Sequence, residues 1–102
     1  METELARLRD LLAARPEVRR VILFGSLAAG RPGETSDLDL AVVAESDLPF
    51  LDRYAEYVCY LKPRVSLDLL VYTPDEWREL VADSRLVRRI AGEGRVLYET
   101  AA

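Results

Sequence analysis

The sequence predicts an α/β (α+β) fold: a four-stranded mixed sheet with helices mainly on one face. Three features predict it. Four short apolar runs, at residues 18–24, 37–44, 65–72 and 96–98, have the length and the β-branched content of strands. Amphipathic stretches of helical period lie before, between and after them, and Gly, Pro and Ser/Asp clusters punctuate the junctions. Alternating periods of this kind belong to a sheet layered with helices. At 102 residues the chain is expected to form a single domain over residues 1–102, with one core, one site and little room for a separate substrate-binding lobe.

Leu5, Leu8 and Leu12 recur at helical spacing within residues 3–14, with Glu4, Arg7, Arg9 and Asp10 mostly elsewhere on the wheel. Arg15-Pro16 ends this helix, because the residue before a proline is pushed out of the α region. Residues 18–24 then read as a buried strand that Gly25 stops. A short segment, 26–29, leads into the turn-rich stretch 30–36, Gly-Arg-Pro-Gly-Glu-Thr-Ser. In the strand at 37–44, Leu38, Leu40 and Val42 share one face, and Asp37, Asp39, Ala41 and Val43 share the other.

Ser46 or Asp47 is expected to cap a helix running to about Leu61, with Leu48, Leu51, Tyr54, Val58 and Leu61 as its core stripe. Pro63 closes it. The strand at 65–72 is apolar except for Asp68. Thr73-Pro74-Asp75-Glu76 is a strong helix start, with Thr73 as N-cap, Pro74 in the first helical position and Glu76 completing a capping box. Trp77, Leu80 and Val81 are expected to face inward. A further helix carries Leu86, Val87 and Ile90, Gly92 and Gly94 terminate it, and the last strand follows.

Composition narrows the function. The formal charge of −4 argues against backbone-driven binding of long nucleic acid. Cys59 is the only cysteine and there is no histidine, so a disulfide within the chain and metal sites of His and Cys are excluded. A metal here must be held by oxygen. No apolar run reaches the roughly 20 residues that cross a bilayer, so the expected setting is cytoplasmic, with no membrane partner.

The chemistry concentrates at Phe24-Gly25-Ser26 and, ten residues later, Asp37-Leu38-Asp39. Glycine lets a phosphate approach the backbone, and a helix beginning near Ser26 would aim free N–H groups at it. Asp37 and Asp39 lie two apart on one strand and therefore on one face, and Asp68 on a neighbouring strand would add a third carboxylate. Like charges about 4–5 Å apart repel by about 4 kcal/mol at an effective dielectric near 20, so such a cluster calls for a cation, most naturally magnesium. In two-metal phosphoryl chemistry one ion escorts the triphosphate and the other activates the attacking hydroxyl. Asp68 would touch the second ion only and could serve as general base.

Blander readings stand beside these. Gly25-Ser26 is also a plain strand-to-helix turn, Asp37 and Asp39 also fit Asx-turn capping, and Asp68 could pair with Arg64. Arg85, Arg88 and Arg89 read as a solvated helix face before they read as a nucleotide or partner surface. Tyr57 and Tyr60 lie off the expected stripe, either as a partner-binding patch or as half-buried aromatics. Trp77 and Cys59 are assigned to packing.

The stretch GSLAAGRPGETSDLDL, with the later SLDLLVY and the closing GRVLYE, resembles the signature of the minimal nucleotidyltransferases of the DNA polymerase β superfamily, and the likeness spans nearly the whole chain. The resemblance implies that family's palm-like fold and a magnesium-dependent nucleotidyl transfer, with ATP as substrate and two Mg2+ ions. Asp37 and Asp39 would bind both ions and Asp68 the second, while Gly25, Ser26, Arg31 and Ser36 would hold the nucleotide. It also implies a partner. Minimal domains of this kind are commonly antitoxins of a HEPN-domain ribonuclease toxin, and some transfer AMP to a tyrosine of that toxin. One departure stands out: many relatives carry arginines after Gly-Ser, where this chain has Leu27 and Ala29, leaving Arg31 as the nearest cation. Two other functions stay open, an antitoxin that blocks its toxin by contact alone and a small-molecule nucleotidyltransferase. Self-association is open as well.

Overall fold

The computed structural model describes residues 2–25 and 38–100. Among them α1 spans Glu2–Ala13, β1 Val18–Phe24, β2 Leu38–Ala44, α2 Phe50–Leu61, β3 Leu67–Tyr72, α3 Pro74–Asp83, α4 Arg85–Glu93 and β4 Arg95–Glu99. The strands form one mixed sheet in the order β3-β2-β1-β4. β1 runs antiparallel to both β2 and β4, and β2 runs parallel to β3. The α+β class and the four-stranded mixed sheet are as expected. The short helical segment expected at 26–29 lies outside the described residues.

The helices, expected mainly on one face, are divided between the two. On one side Leu5, Leu8 and Leu12 of α1 and Tyr57 and Leu61 of α2 pack on Val21 and Leu23 of β1, Leu38, Leu40 and Val42 of β2 and Leu69 of β3. On the other, Trp77 of α3 and Val87 and Ile90 of α4 pack on Ile22, Ala41, Val43 and Tyr72. The reason is legible in β2. Its unbroken run Ala41-Val42-Val43-Ala44 is buried at every position, as a strand must be when both faces are covered. Among the described residues no helix is long and apolar enough to cross a membrane.

The turn that leaves α2 is pinned to α1 by charge. Glu4, expected on the polar side of α1, is 8% exposed. It takes the Arg7 guanidinium in a fork of two 2.8 Å bonds and accepts the Arg64 N–H at 2.6 Å. Arg7 in turn donates to the carbonyls of Leu61 and Lys62, so the start of α1 is tied to the turn that leaves α2. The Arg7 bonds, with the Arg64 N–H and against a smaller cost of burial, hold the Glu4 carboxyl at about 2.

α2 departs most from expectation. It starts at Phe50 with Pro49 as N-cap, while Ser46 Oγ only accepts the Leu48 N–H in the preceding turn. Its buried residues are Arg53, Tyr57 and Leu61, so the inward face is turned by about one residue, roughly 100° of rotation, from the expected stripe. Leu48, Leu51 and Tyr54 are exposed instead, and so is Cys59. Polar anchors decide the rotation. Arg53 Nε donates to Leu48 O at 2.7 Å, Nη1 to Val71 O at 2.9 Å, and both Nη groups to Glu76 at 2.7 and 2.9 Å. The Tyr57 hydroxyl donates to Glu17 Oε2 at 3.0 Å under the Arg15 guanidinium, 4.4 Å from the ring centre. Burial, and then the bond to Glu17, push the Tyr57 hydroxyl well above its usual range.

α3 begins as the sequence predicts. The Thr73 side chain accepts from the Glu76 N–H, Glu76 accepts from the Thr73 N–H, and Pro74 opens the helix. Glu76 thus closes the capping box and the Arg53 clamp together. Trp77 is buried, with Leu80 and Val81 packed against the same cluster. In α4, Val87 and Ile90 face inward and Leu86 is exposed. Gly94 is the C-cap and Gly92 sits inside the helix. A Cβ on Gly94 would overlap Ile22 Cγ2 and the Ile90 carbonyl, whereas one on Gly92 would meet open space.

Candidate active site

Strand pairing assembles the site from three elements. β1 ends at Phe24, which faces Asp39 across the antiparallel β1–β2 ladder. The parallel β2–β3 ladder then sets Asp39 level with Asp68. Neighbouring strands lie about 4.8 Å apart, and the two aspartates fall on the sheet face that carries Ala41, Val43 and Tyr72 further along. The two carboxylates predicted to converge across β2 and β3 are therefore side by side. Asp39 is partly buried and Asp68 is exposed.

Gly25 completes the corner. Its φ is +80°, in the region that side-chain-bearing residues avoid. A Cβ there would overlap the Asp39 carboxylate oxygen and come within 3.0 Å of Asp39 Cγ and 3.4 Å of Asp39 Cβ. The sequence suggested that this glycine admits a phosphate. The structure gives it an earlier task, which is to make room for the Asp39 carboxylate at the end of β1. That demand carries no motif of its own and shows only once the register between β1 and β2 is known.

Asp37, Ser26, Arg31 and Ser36, with Leu27 and Ala29, lie outside the described residues, so only Gly25, Asp39 and Asp68 of the expected site are placed. Among the described residues no three of His, Cys, Asp and Glu gather to hold a metal ion. The donor set that is placed suits a hard cation: two carboxylates in register on adjacent strands, with the neighbouring Cβ removed to clear one of them. The pairing of Asp68 with Arg64 is not formed. The Arg64 backbone N–H serves Glu4, and among the described residues no ion pair holds Asp68.

The other candidates resolve into structure. Arg88 donates to the carbonyls of Val81 and Ala82 at the end of α3, and Arg89 pairs with Glu93 one turn on. Tyr57 is core, while Tyr60 donates from the surface to Leu11 O at 2.6 Å. The residue that sequence reasoning missed is Arg53. A lone arginine four residues before a tyrosine carries no helical-stripe signal, and its burial is explained by its reach to the carbonyls of Leu48 and Val71 and to Glu76, 23 positions on.

Comparison with known proteins places this geometry. The family described as polymerase beta, nucleotidyltransferase, matches residues 6–102. A protein of Methanocaldococcus jannaschii that carries the name protein adenylyltransferase is 31% identical over 84 residues, 82% of each chain. Among solved structures, a toxin–antitoxin with AMP-PNP superposes with a TM-score of 0.58 at 24% identity, over 98% of this chain and 74% of that one. The MntA–HepT toxin–antitoxin gives 0.55 at 21%, over 98% and 74%. At those identities the two structures speak for the shared fold.

Proposed function

This chain belongs to the polymerase beta nucleotidyltransferase family, and we propose that it transfers AMP from ATP to a hydroxyl of a partner protein, a tyrosine of a HEPN-type toxin, which it thereby neutralises. The observation that carries the reading is the corner made by Asp39, Asp68 and Gly25: two carboxylates in register, one of them accommodated by a glycine at positive φ. Like charges level on adjacent strands repel, and a shared cation would relieve that repulsion. The adenylyl group and the protein acceptor are supported by the name of the Methanocaldococcus jannaschii relative. The AMP-PNP and MntA–HepT structures support a nucleotide and a toxin in the same direction.

In this reading Asp37, Asp39 and Asp68 would hold the two magnesium ions. Bound there, magnesium supplies charge neutralisation at the triphosphate and acidifies the attacking hydroxyl. The chain's own residues do the rest. Gly25 keeps Asp39 seated against the end of β1, and Ser26, Arg31 and Ser36 hold the phosphates. Asp68, exposed beside Asp39, accepts the proton of the incoming hydroxyl. The oxygen of that hydroxyl bonds to the α-phosphorus as the bond to the β-phosphate bridge breaks, and pyrophosphate leaves. A single domain in the cytoplasm, where ATP is available, suffices for this.

Intact-mass spectrometry of the co-expressed toxin, after incubation with ATP and magnesium, tests the proposal. The wild type should add one or more AMP units and Asp39→Asn none. An unmodified toxin held in a stable complex by both proteins would instead favour an antitoxin acting by contact alone, the reading that Leu27 and Ala29 in place of arginines support.

A further inference from the structure

The start of α2 carries an apolar patch that the catalytic corner does not use. Leu48, Phe50, Leu51 and Tyr54 are all exposed, Leu51 at 76%. Four large apolar side chains within seven residues differ from the scattered single ones that every surface shows. The segment is also held rigidly. Arg53 grips the Leu48 carbonyl from within, Ser46 Oγ accepts the Leu48 N–H, and the Phe50 ring stacks at a tilt on Tyr72 with centroids 5.6 Å apart. An apolar surface already ordered in this way loses little entropy when something covers it.

Its charge says what would cover it. Every exposed charged residue between 45 and 56 is acidic: Glu45, Asp47, Asp52 and Glu56, while the cation of the stretch, Arg53, is buried. Glu45 and Glu56 meet Arg19 and Arg15. Among the described residues no ion pair neutralises Asp47 or Asp52. In the adjoining first turn of α3, Asp75 is paired with Arg78. A second copy of this chain, meeting the patch through a two-fold axis, would bring acid against acid. A surface with lysine or arginine at its rim would be attracted.

We propose that Leu48, Phe50, Leu51 and Tyr54 form a docking surface for a partner protein whose contact face is apolar at its centre and basic at its rim. The patch lies beside Tyr72, at the end of β3, whereas Asp68 lies four residues back along the same strand, about 13 Å at about 3.3 Å per residue. A partner seated there leaves the carboxylates uncovered, so holding the partner and transferring a nucleotide are separable tasks of opposite ends of the sheet. The surface stands on its own residues, and the inference holds whether or not AMP is transferred.

The test is a heteronuclear NMR titration of the labelled protein with an amphipathic helical peptide of leucine and lysine, beside its leucine–glutamate counterpart. The expected result is saturable shifts confined to residues 46–58, with the lysine peptide alone. Leu51→Glu should weaken that binding at least tenfold with the rest of the spectrum unchanged, and Asp39→Asn should bind as the wild type does. Shifts centred on Asp39 and Asp68, equal binding of the glutamate peptide, or no saturable shift would overturn the proposal. A wild-type dimer in light scattering that Leu51→Glu dissolves would overturn it too, in favour of a second copy. Loss of AMP transfer in Asp39→Asn with peptide binding intact supports both readings, and intact binding without any wild-type transfer removes the enzymatic one alone.

Discussion

The two ends of the sheet treat charge in opposite ways. Where α2 and α3 begin, one buried cation is matched by acceptors: Arg53 is 5% exposed and its guanidinium donates to two carbonyls and both oxygens of Glu76. At the other end, Asp39 and Asp68 stand level on adjacent strands, and a glycine at positive φ clears the space beside Asp39. The first arrangement holds connections in place, and removing one partner leaves the others stranded in the interior. The second sets two carboxylates side by side, where they repel each other and attract a cation. If Asp39 and Asp68 serve the proposed transfer, the two ends make opposite predictions for similar substitutions.

The largest effect expected is on catalysis. Asp39→Asn and Asp68→Asn should each lower AMP transfer by about a thousandfold, roughly 4 kcal/mol of transition-state stabilisation. Asp68→Asn should leave the free energy of urea unfolding within about 0.5 kcal/mol of the wild type, because the side chain is exposed. A variant that lost stability and activity together would erase the distinction between the two ends. Next comes Arg53→Ala, expected to cost about 3 kcal/mol in urea unfolding, since it strands the Val71 and Leu48 carbonyls and half of the Glu76 network. Where the folded variant can be populated at low temperature, its Asp39–Asp68 corner should still bind nucleotide.

A pair of glycines sharpens the same contrast on a smaller scale. Gly25→Ala should destabilise by about 1–2 kcal/mol through its positive φ, and it should depress transfer further by displacing the Asp39 carboxylate. Gly92→Ala, inside α4 with open space around it, should stabilise by up to about 1 kcal/mol with transfer unchanged. Thermal unfolding and the transfer assay together distinguish a glycine required by the site from one merely tolerated.

What could be read in the sequence follows a physical line. The Thr73-Pro74-Glu76 start, the strand at 18–24 and the alternation of Leu38 and Leu40 against Asp39 and Ala41 are local signals, set by neighbours within a few positions, and all appear in the structure. The inward face of α2 was not legible. Its two anchors look polar in sequence, and each is buried by a partner far along the chain, Glu76 for Arg53 and Glu17 for Tyr57. Leu51 looks like core and has no such partner. Asp39 and Asp68 were legible for the opposite reason: a charge inside an apolar strand announces itself, and strand register alone then brings the two together. Gly25 was legible as a turn, but its accommodation of Asp39 needed the third dimension.

A further effect expected is a dependence of stability on pH, and it comes from the structural charges. Glu4 titrates near 2 in the folded protein against an ordinary 4.5, chiefly because Arg7 holds it. Glu76 is lowered in the same sense, chiefly by Arg53. A carboxyl whose folded pKa is depressed binds fewer protons folded than unfolded, so its contribution is complete above the unfolded value and disappears as pH falls through the folded one. Urea midpoints should therefore be level at neutral pH, begin to fall near pH 4.5 and keep falling toward pH 2. Glu4→Gln should lower the plateau and flatten that descent, because the group that releases its proton on folding is gone. A descent of the same steepness in Glu4→Gln would mean that the tie between α1 and the end of α2 contributes little, and that the acid sensitivity lies with Glu76 and Glu17, whose carboxyls are lowered as well.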